Sequence, residues 1–441
     1  MMNDTLSIPV IIQPSTDTWA TLTMRPSMDL SSLEQVVSPV IERVRREGDE
    51  AVRHFTLQFD KADVGELQVA SSDIQAASGR IAPELKRAIE LAIANISAFH
   101  QAQVDPGVKV ETMPGVHCWR RPVAIQSVGL YIPGGSAPLF STILMLALPA
   151  VIAGCTEIVL CSPPDADGQL HPAILYAARR CGVTNIFRVG GVQAIAAMAF
   201  GTGSIPKVNK IFGPGNQYVT CAKQIVQRLG IAIDMPAGPS EVAVFADASA
   251  DADFVAADLL SQAEHGVDSH VLLVTTDQRL ANATIDALNE QIKTLPRRNV
   301  ASKSLSGGKI VVVETIDEAF SLLNLYAPEH LIISSDRANE LAALVVNAGS
   351  VFLGHYSPES AGDYASGTNH TLPTNGYATA YSGVSVDSFV RKITYQELSR
   401  EGLAAISEAV QLMAAAEGLD GHAKAVQVRL QKQRPRIPPH S

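Results

Sequence analysis

Hydrophobic and polar positions change period twice along the chain. From Leu33 to Asp60 apolar residues recur at helical spacing (Val36, Val37, Val40, Ile41, Val44), and a second helical stretch runs from Pro83 to Gln103. The segment before Thr23 lacks that period and carries prolines, which predicts extended chain. From Val128 onward short β-branched runs alternate with helical ones. Residues 128–133, 157–162, 185–190 and 210–215 read as strands, each followed by a helix. They end in Pro133-Gly134-Gly135, Pro163-Pro164, Gly190-Gly191 and Gly213-Pro214-Gly215, all turn signals. The alternation restarts after the Pro236 to Pro239 turn. Strands are predicted at 241–247, 271–276, 309–315, 330–335 and in GSVFLG, with helices at 251–265, 280–294, 317–326 and 338–348. From Leu398 to Arg429 the spacing is helical again.

Such alternation predicts an α/β fold with two Rossmann-like, doubly wound parallel-sheet units of similar build and small helical segments at both ends. The expected division is an N-terminal arm (1–25), a first α/β domain from 26–127 with 240–384, a second from 128–239, and a C-terminal helical segment (385–441). Doubly wound sheets bind ligands outside the carboxyl ends of their strands, so the Gly-rich turns of 128–239 form a candidate nucleotide holder. The usual fingerprints are missing. Gly213 and Gly215 are followed by Tyr218 where a third glycine would stand, and Gly308-Lys309 by Ile310. By motif alone, a dinucleotide and plain tight turns stay equally open.

Composition narrows the class. The 441 residues are 46% hydrophobic and 18% charged with a net charge of −10, which suits a globular chain and argues against a nucleic-acid partner. Basic residues cluster only at Arg43 to Arg46 and in the tail from Arg429 to Arg436. The N-terminus carries Asp4 where a leader needs positive charge, and the most apolar run, Ser141 to Gly154, is too short to span a bilayer. A cytoplasmic protein without membrane contact is expected. Five cysteines without a C-x-x-C pair read as reduced thiols.

Candidate chemistry concentrates in a few places. Between Ser357 and Tyr381 the chain is polar and glycine-studded and holds Glu359, Asp363 and His370; such a stretch should lie outside the core and face a ligand. Gln262 and His265 stand at i, i+3 on one face of a helix that Gly266 should end. Taken alone, His265 reads as a histidine set against a helix dipole. A further set is Glu417, Asp420 and His422. Imidazole and carboxylate suit zinc, and one Gln, one Asp and two His from these segments would make a site with open positions. Glu329-His330, just before a strand, is acid/base equipment if both side chains reach one cavity, and a solvated pair if they do not.

The runs VGLYIPGG, VGGVQAIAAMAFGT, KIFGPGN, IDMPAGPSEV, LLSQAEHG, YAPEHLI, SPESAGDYASGTNHTLPT, YSGVSVDSF and EGLDGH, in this order, resemble the histidinol dehydrogenase family over nearly the whole chain. The resemblance implies zinc-dependent oxidation of L-histidinol to L-histidine through L-histidinaldehyde, with two NAD+ reduced. It places zinc, one per subunit, on Gln262, His265, Asp363 and His422, and catalysis on Glu329 and His330. Substrate contacts fall on Ser240, Gln262, His265, His330, Asp363, His370, Glu417 and His422, and NAD contacts on Tyr131, Gln193 and Asn216. It further implies an incomplete dinucleotide fold over 128–239, metal and acid/base residues in the other α/β domain, and a homodimer whose C-terminal segment completes the neighbour's site. His355 and Asn375 depart from the family pattern beside the expected site. Two rival classes remain at this level: a thiol-dependent enzyme using Cys155 or Cys118, and a hinged binding protein without chemistry.

Overall fold

A computed structural model describes residues 8–25, 30–134, 138–236 and 238–432. Gly135 and Ala237 of the predicted turns, residues 1–7 of the arm and the tail from 433 lie outside the described residues. The chain divides into two compact units, Met1–Gln103 with Ile125–Phe389, and Val104–Ala124 with Val390–Ser441.

Strand β1 (Val10–Ile12) opens the larger unit, and β2 (Lys109–Met113) and β3 (Val116–Ala124) belong to the smaller. Next come β4 (Ser127–Tyr131), β5 (Glu157–Ser162), β6 (Asn185–Arg188), β7 (Lys210–Phe212) and β8 (Ala232–Ile233), then β9 (Glu241–Ala246), β10 (His270–Thr275), β11 (Lys309–Val312), β12 (His330–Ser334) and β13 (Ser350–Leu353). Strand β14 (Val390–Leu398) completes the set. The larger unit contains two parallel sheets, ordered β6-β5-β4-β7-β8 and β1-β11-β10-β9-β12-β13. Leaving β1 aside, both share one topology: the first strand is central, the second and third lie on one side, the fourth and fifth on the other. Each sheet therefore has a switch point, between β4 and β7 and between β9 and β12.

The predicted alternation is present, with differences that have local causes. Gly48 (φ 60°) breaks the first helical stretch into Leu30–Glu47 and Asp49–Phe55, and a π-turn, Thr56–Asp60, ends it. The helix expected over 338–348 stops at Leu341 and a 3₁₀ turn. There Asn324 Oδ1 accepts the N–H groups of Val346 (2.8 Å) and Asn347 (3.1 Å), offering the backbone an alternative to the helix. Among the described residues, the segment before Thr23 contributes the strand β1, which pairs with β11, and then the short helix Trp19–Leu22. The helix Ser141–Ala153 is buried on every side through Ala150, which explains its unbroken apolar run without a membrane. Among the described residues, no helix is long and apolar enough to cross a membrane.

The smaller unit holds an antiparallel sheet, β14-β3-β2, that periodicity did not reveal, and the helices Arg400–Ala416 and Asp420–Gln431. Strand β2 is exposed along its length and β14 is mostly exposed, so neither shows a buried face to read. Cross-strand pairs hold it instead. Trp119 stacks on Tyr395 with centroids 5.4 Å apart, and Lys109 lies 4.6 Å from the Trp119 ring.

One buried ion pair ties the N-terminal segment to the second sheet. Arg25 donates to both oxygens of Glu241 (2.5 and 2.7 Å) and to Tyr326 O (2.6 Å), with its guanidinium 3.9 Å from the Tyr326 ring. Removing one member strands the other charge, so Arg25→Met should cost about 3–5 kcal/mol in urea unfolding. The double change Arg25→Met with Glu241→Gln should recover part of that loss; a full additive loss would contradict the coupling.

Candidate active site at the amino ends of the second sheet

The larger sheet gathers its ionisable groups at the starts of its strands. Glu241 opens β9, His270 opens β10 and His330 opens β12. The helix Ala252–Ala263 runs back against the strands, so its last turn returns Gln262 to the same end. This reverses the usual rule that placed the crevice at the carboxyl ends. The reason is local: the connection entering β12 carries Glu329, with Ala327 left-handed (φ 49°), and the chain from Glu359 to Thr371 folds back over this end.

His330 sits at the centre. Its Nδ1 lies 3.0 Å from the carbonyl oxygen of Glu241. A carbonyl only accepts, so Nδ1 carries the proton and Nε2 keeps a lone pair with no partner among the described residues. Nε2 is 3.8 Å from Asp363, while Nδ1 is 3.6 Å from Glu329 and 3.5 Å from Glu359. Burial pushes the imidazole down to about 4 against the opposing pull of Asp363, so it is a neutral base at physiological pH. Glu329 accepts the Glu241 N–H at 2.8 Å and bonds to the Ser240 side chain. Burial nevertheless drives its carboxyl well above the usual range, and Glu241 and Asp363 add to the rise.

Glu359 is buried, its Oε2 has no partner among the described residues, and burial, then Asp363 and Glu329, raise its carboxyl too. His370 directs Nδ1 to Asp363 O (2.9 Å) and Nε2 toward Thr142 Oγ1 (3.4 Å), and burial lowers its basicity. The polar stretch expected outside the core is thus partly inside it: Glu359, Asp363, Asn369, Thr371 and Thr374 are buried, while Tyr364 and Tyr381 are exposed. Partners explain how. Asn369 donates to Met145 O (2.6 Å) and accepts the Thr371 N–H (2.9 Å), so polar residues satisfy one another in the interior.

Ligand atoms of His330, Glu359 and Asp363 lie within 4.8 Å of one another. Gln262 faces the same end with 0% exposure, and neither its amide oxygen nor its nitrogen has a partner among the described residues. An amide stranded in this way costs about 1–3 kcal/mol unless a ligand or ion satisfies it. The donor set, one amide oxygen, carboxylates and imidazoles, fits a divalent metal of the zinc class. His265 lies two residues past the helix, which ends at Ala263 rather than at Gly266; its N–H still bonds Gln262 O at 3.2 Å. His265 is exposed, and its proximity adds to the lowering of basicity at both His330 and His370. Ser240 is half-buried beside Glu329. Glu417 and His422 belong to the smaller unit, where both are exposed.

Of the two departures noted from the sequence, Asn375 donates its N–H to Glu241 Oε1 (2.7 Å) and adjoins this end. His355 does not. It is 3.1 Å from Ser334 Oγ, at the opposite end of β12. Sequence reasoning also missed Glu241 and Asp258. Glu241 was legible as an acid heading an apolar strand, and Asp258 as an acid one turn before Gln262 on the same helix face.

The five-stranded sheet presents its carboxyl end to this region, because Thr142, in the first turn after β4, contacts His370, and Met145 contacts Asn369. Tyr131 ends β4, Gln193 lies in the first turn of Gly191–Phe200, and Asn216 caps Gln217–Arg228 by accepting the N–H groups of Tyr218 and Val219 (3.1 Å each). Tyr131 and Asn216 flank the β4/β7 switch point. Gly213 (φ 129°) must be glycine there, since a Cβ would stand 2.0 Å from Tyr131 O. Burial pushes the Cys155 thiol up to about 11, which disfavours the thiolate that a nucleophile needs.

A buried acid/base cluster facing the carboxyl end of a Rossmann-ordered sheet defines an α/β enzyme equipped for proton transfer beside a nucleotide-type fold. The histidinol dehydrogenase family model matches residues 23–430. The chain is 60% identical to the histidinol dehydrogenase of Bacteroides thetaiotaomicron over 421 residues (96% of this chain, 98% of that protein). It is 53% identical to that of Escherichia coli K12 over 412 residues (93% and 94%). The crystal structure of histidinol dehydrogenase from Elizabethkingia anophelis superposes with a TM-score of 0.94 at 50% identity, covering 96% of this chain and 98% of that one. The chain belongs to the histidinol dehydrogenase family and is an oxidoreductase.

Two outcomes follow for chelator-treated protein. Gln262→Met, which removes the stranded amide at similar volume, should raise its unfolding free energy by about 1 kcal/mol or more while metal retention falls. A loss of stability in the metal-free state would show that the amide is satisfied. Asp258, pushed up to about 7 by burial, contributes stability below its unfolded value that is lost as pH rises through 7. Asp258→Asn should therefore raise the melting temperature near pH 8 and leave it unchanged near pH 4.

Proposed function

We propose that this chain oxidises L-histidinol to L-histidine through L-histidinaldehyde at a zinc site, with two NAD+ reduced in turn, as the last step of histidine biosynthesis. The observation that carries the reading is the free Nε2 lone pair of His330, buried beside Asp363, with the stranded amide of Gln262 in the last turn of the helix that returns to the same end of the sheet. Gln262, His265 and Asp363, with His422 of a second copy, would hold the metal. Zinc at these residues would act as a Lewis acid that orients the substrate and lowers the pKa of the alcohol.

The remaining work falls to the chain's own side chains. His330, neutral at physiological pH and with Nδ1 locked onto Glu241 O, takes the hydroxyl proton at Nε2 as the alcohol carbon loses hydride. Glu329 lies beside it and serves the second oxidation by taking a proton from water as it adds to the aldehyde. Burial raises that carboxyl well above the usual range, which makes its ionised form a stronger base than an exposed carboxylate. Ser240 and His370 line the substrate position, and Glu417 of a second copy would close it. Exposure of Glu417 and His422 on their own unit supports a role toward another copy in a homodimer. Tyr131, Gln193 and Asn216 are the expected NAD contacts, supported by their position at the carboxyl end of the five-stranded sheet. The reaction needs no nucleic acid or membrane, and a cytoplasmic setting suits it.

The direct test is the yield of NADH per L-histidinol consumed, measured before and after chelation and again after zinc is restored. Two NADH per substrate, lost on chelation and regained with zinc, is the expected result. Asp363→Ala and His265→Ala should lose metal and turnover together. Glu329→Gln should slow aldehyde oxidation by about 10²-fold or more while sparing alcohol oxidation; equal losses in the two steps would refute its assigned role.

A further inference from the structure

The five-stranded sheet holds an acid that the proton-transfer cluster does not use. Asp60 ends the π-turn Thr56–Asp60, and Lys61 after it is left-handed (φ 60°), which turns the chain back. The carboxylate is half-buried beside the two side chains at the sheet's carboxyl end. Gln193 Nε2 donates to Asp60 Oδ2 at 3.3 Å, and the Asp60 charge is felt at the Tyr131 hydroxyl, which accepts the Gly191 N–H at 3.2 Å. Gln193 has 0% exposure, and its Oε1 has no partner among the described residues.

This cluster is unfinished in a specific way. Burial pushes Asp60 up to about 6, and the adjacent Lys61 directs its ammonium to Gln58 O (2.8 Å). The hydrogen bond it receives comes from a neutral amide. An ionised carboxylate accepts several donors, and a pair of vicinal hydroxyls supplies two in the right geometry. The cluster joins the end of β4 to the helix after β6, on the side of the switch point away from β7 and Asn216. In a doubly wound sheet of this strand order, that side takes the adenosine half of a dinucleotide.

We infer that Asp60 receives the adenosine-ribose hydroxyls of NAD and sets the preference against a 2′-phosphorylated dinucleotide. The inference rests on the reading that the five-stranded sheet holds NAD. A 2′-phosphate would remove one donor and bring its negative charge against the carboxylate.

The test is equilibrium binding of NAD and of NADP to the full-length, zinc-loaded protein without substrate, for the wild type, Asp60→Asn, Asp60→Ser and Gln193→Ala. Asp60→Asn should weaken NAD by about tenfold or more and leave NADP unchanged or tighter, so that the preference collapses. A preference that survives in Asp60→Asn, while Gln193→Ala weakens NAD, overturns the inference and leaves the sheet reading standing. If neither change moves NAD affinity, the nucleotide is not on this sheet and both readings fall. The neutral amide avoids the cost of burying charge, so Asp60→Asn should fold; should it not, Asp60→Ser carries the same comparison.

Discussion

The peptide groups of a single residue, Glu241, hold both acid/base side chains. Its N–H binds Glu329 Oε2 and its carbonyl takes His330 Nδ1. The pairing of β9 with β12, in which His330 faces Val242, brings these groups into register. The Glu241 side chain is clamped in turn by Arg25 and by the N–H of Asn375. A strand start is rigid in a way that a loop is not, so the imidazole has one tautomer and one direction. Without that anchor the lone pair of Nε2 would have no reason to face Asp363.

Burial does the electrostatic work. His330 and His370 lose basicity and Glu329 and Glu359 lose acidity for the same reason, removal of the charged form from water. The protein alone therefore presents polar groups that are short of partners, including the Gln262 amide and the second oxygen of Glu359. A divalent cation would satisfy several of these at once and reverse the local preference for neutral carboxyls.

The two parallel sheets use opposite ends. One offers the carboxyl ends of its strands, where glycine turns and helix starts suit a nucleotide, and the other its amino ends, where the acid/base cluster stands. Contacts from Thr142 and Met145 to the stretch around His370 bring these ends together. A shared topology thus presents two different kinds of end.

Local information was enough for much of this. The β/α alternation, the Gly-Pro turns and the buried helix from Ser141 follow from period and turn chemistry, which depend on near neighbours in the chain. The candidate acids and imidazoles were visible as polar residues in an apolar context, and family resemblance named their roles. The antiparallel sheet of the smaller unit escaped because its strands bury little and show no period. That the cluster stands at the amino ends, that His355 is far from it, and that Glu241 organises it were settled only by strand order and register. Those are long-range pairings, and side-chain spacing along one segment carries no record of which strand lies beside it.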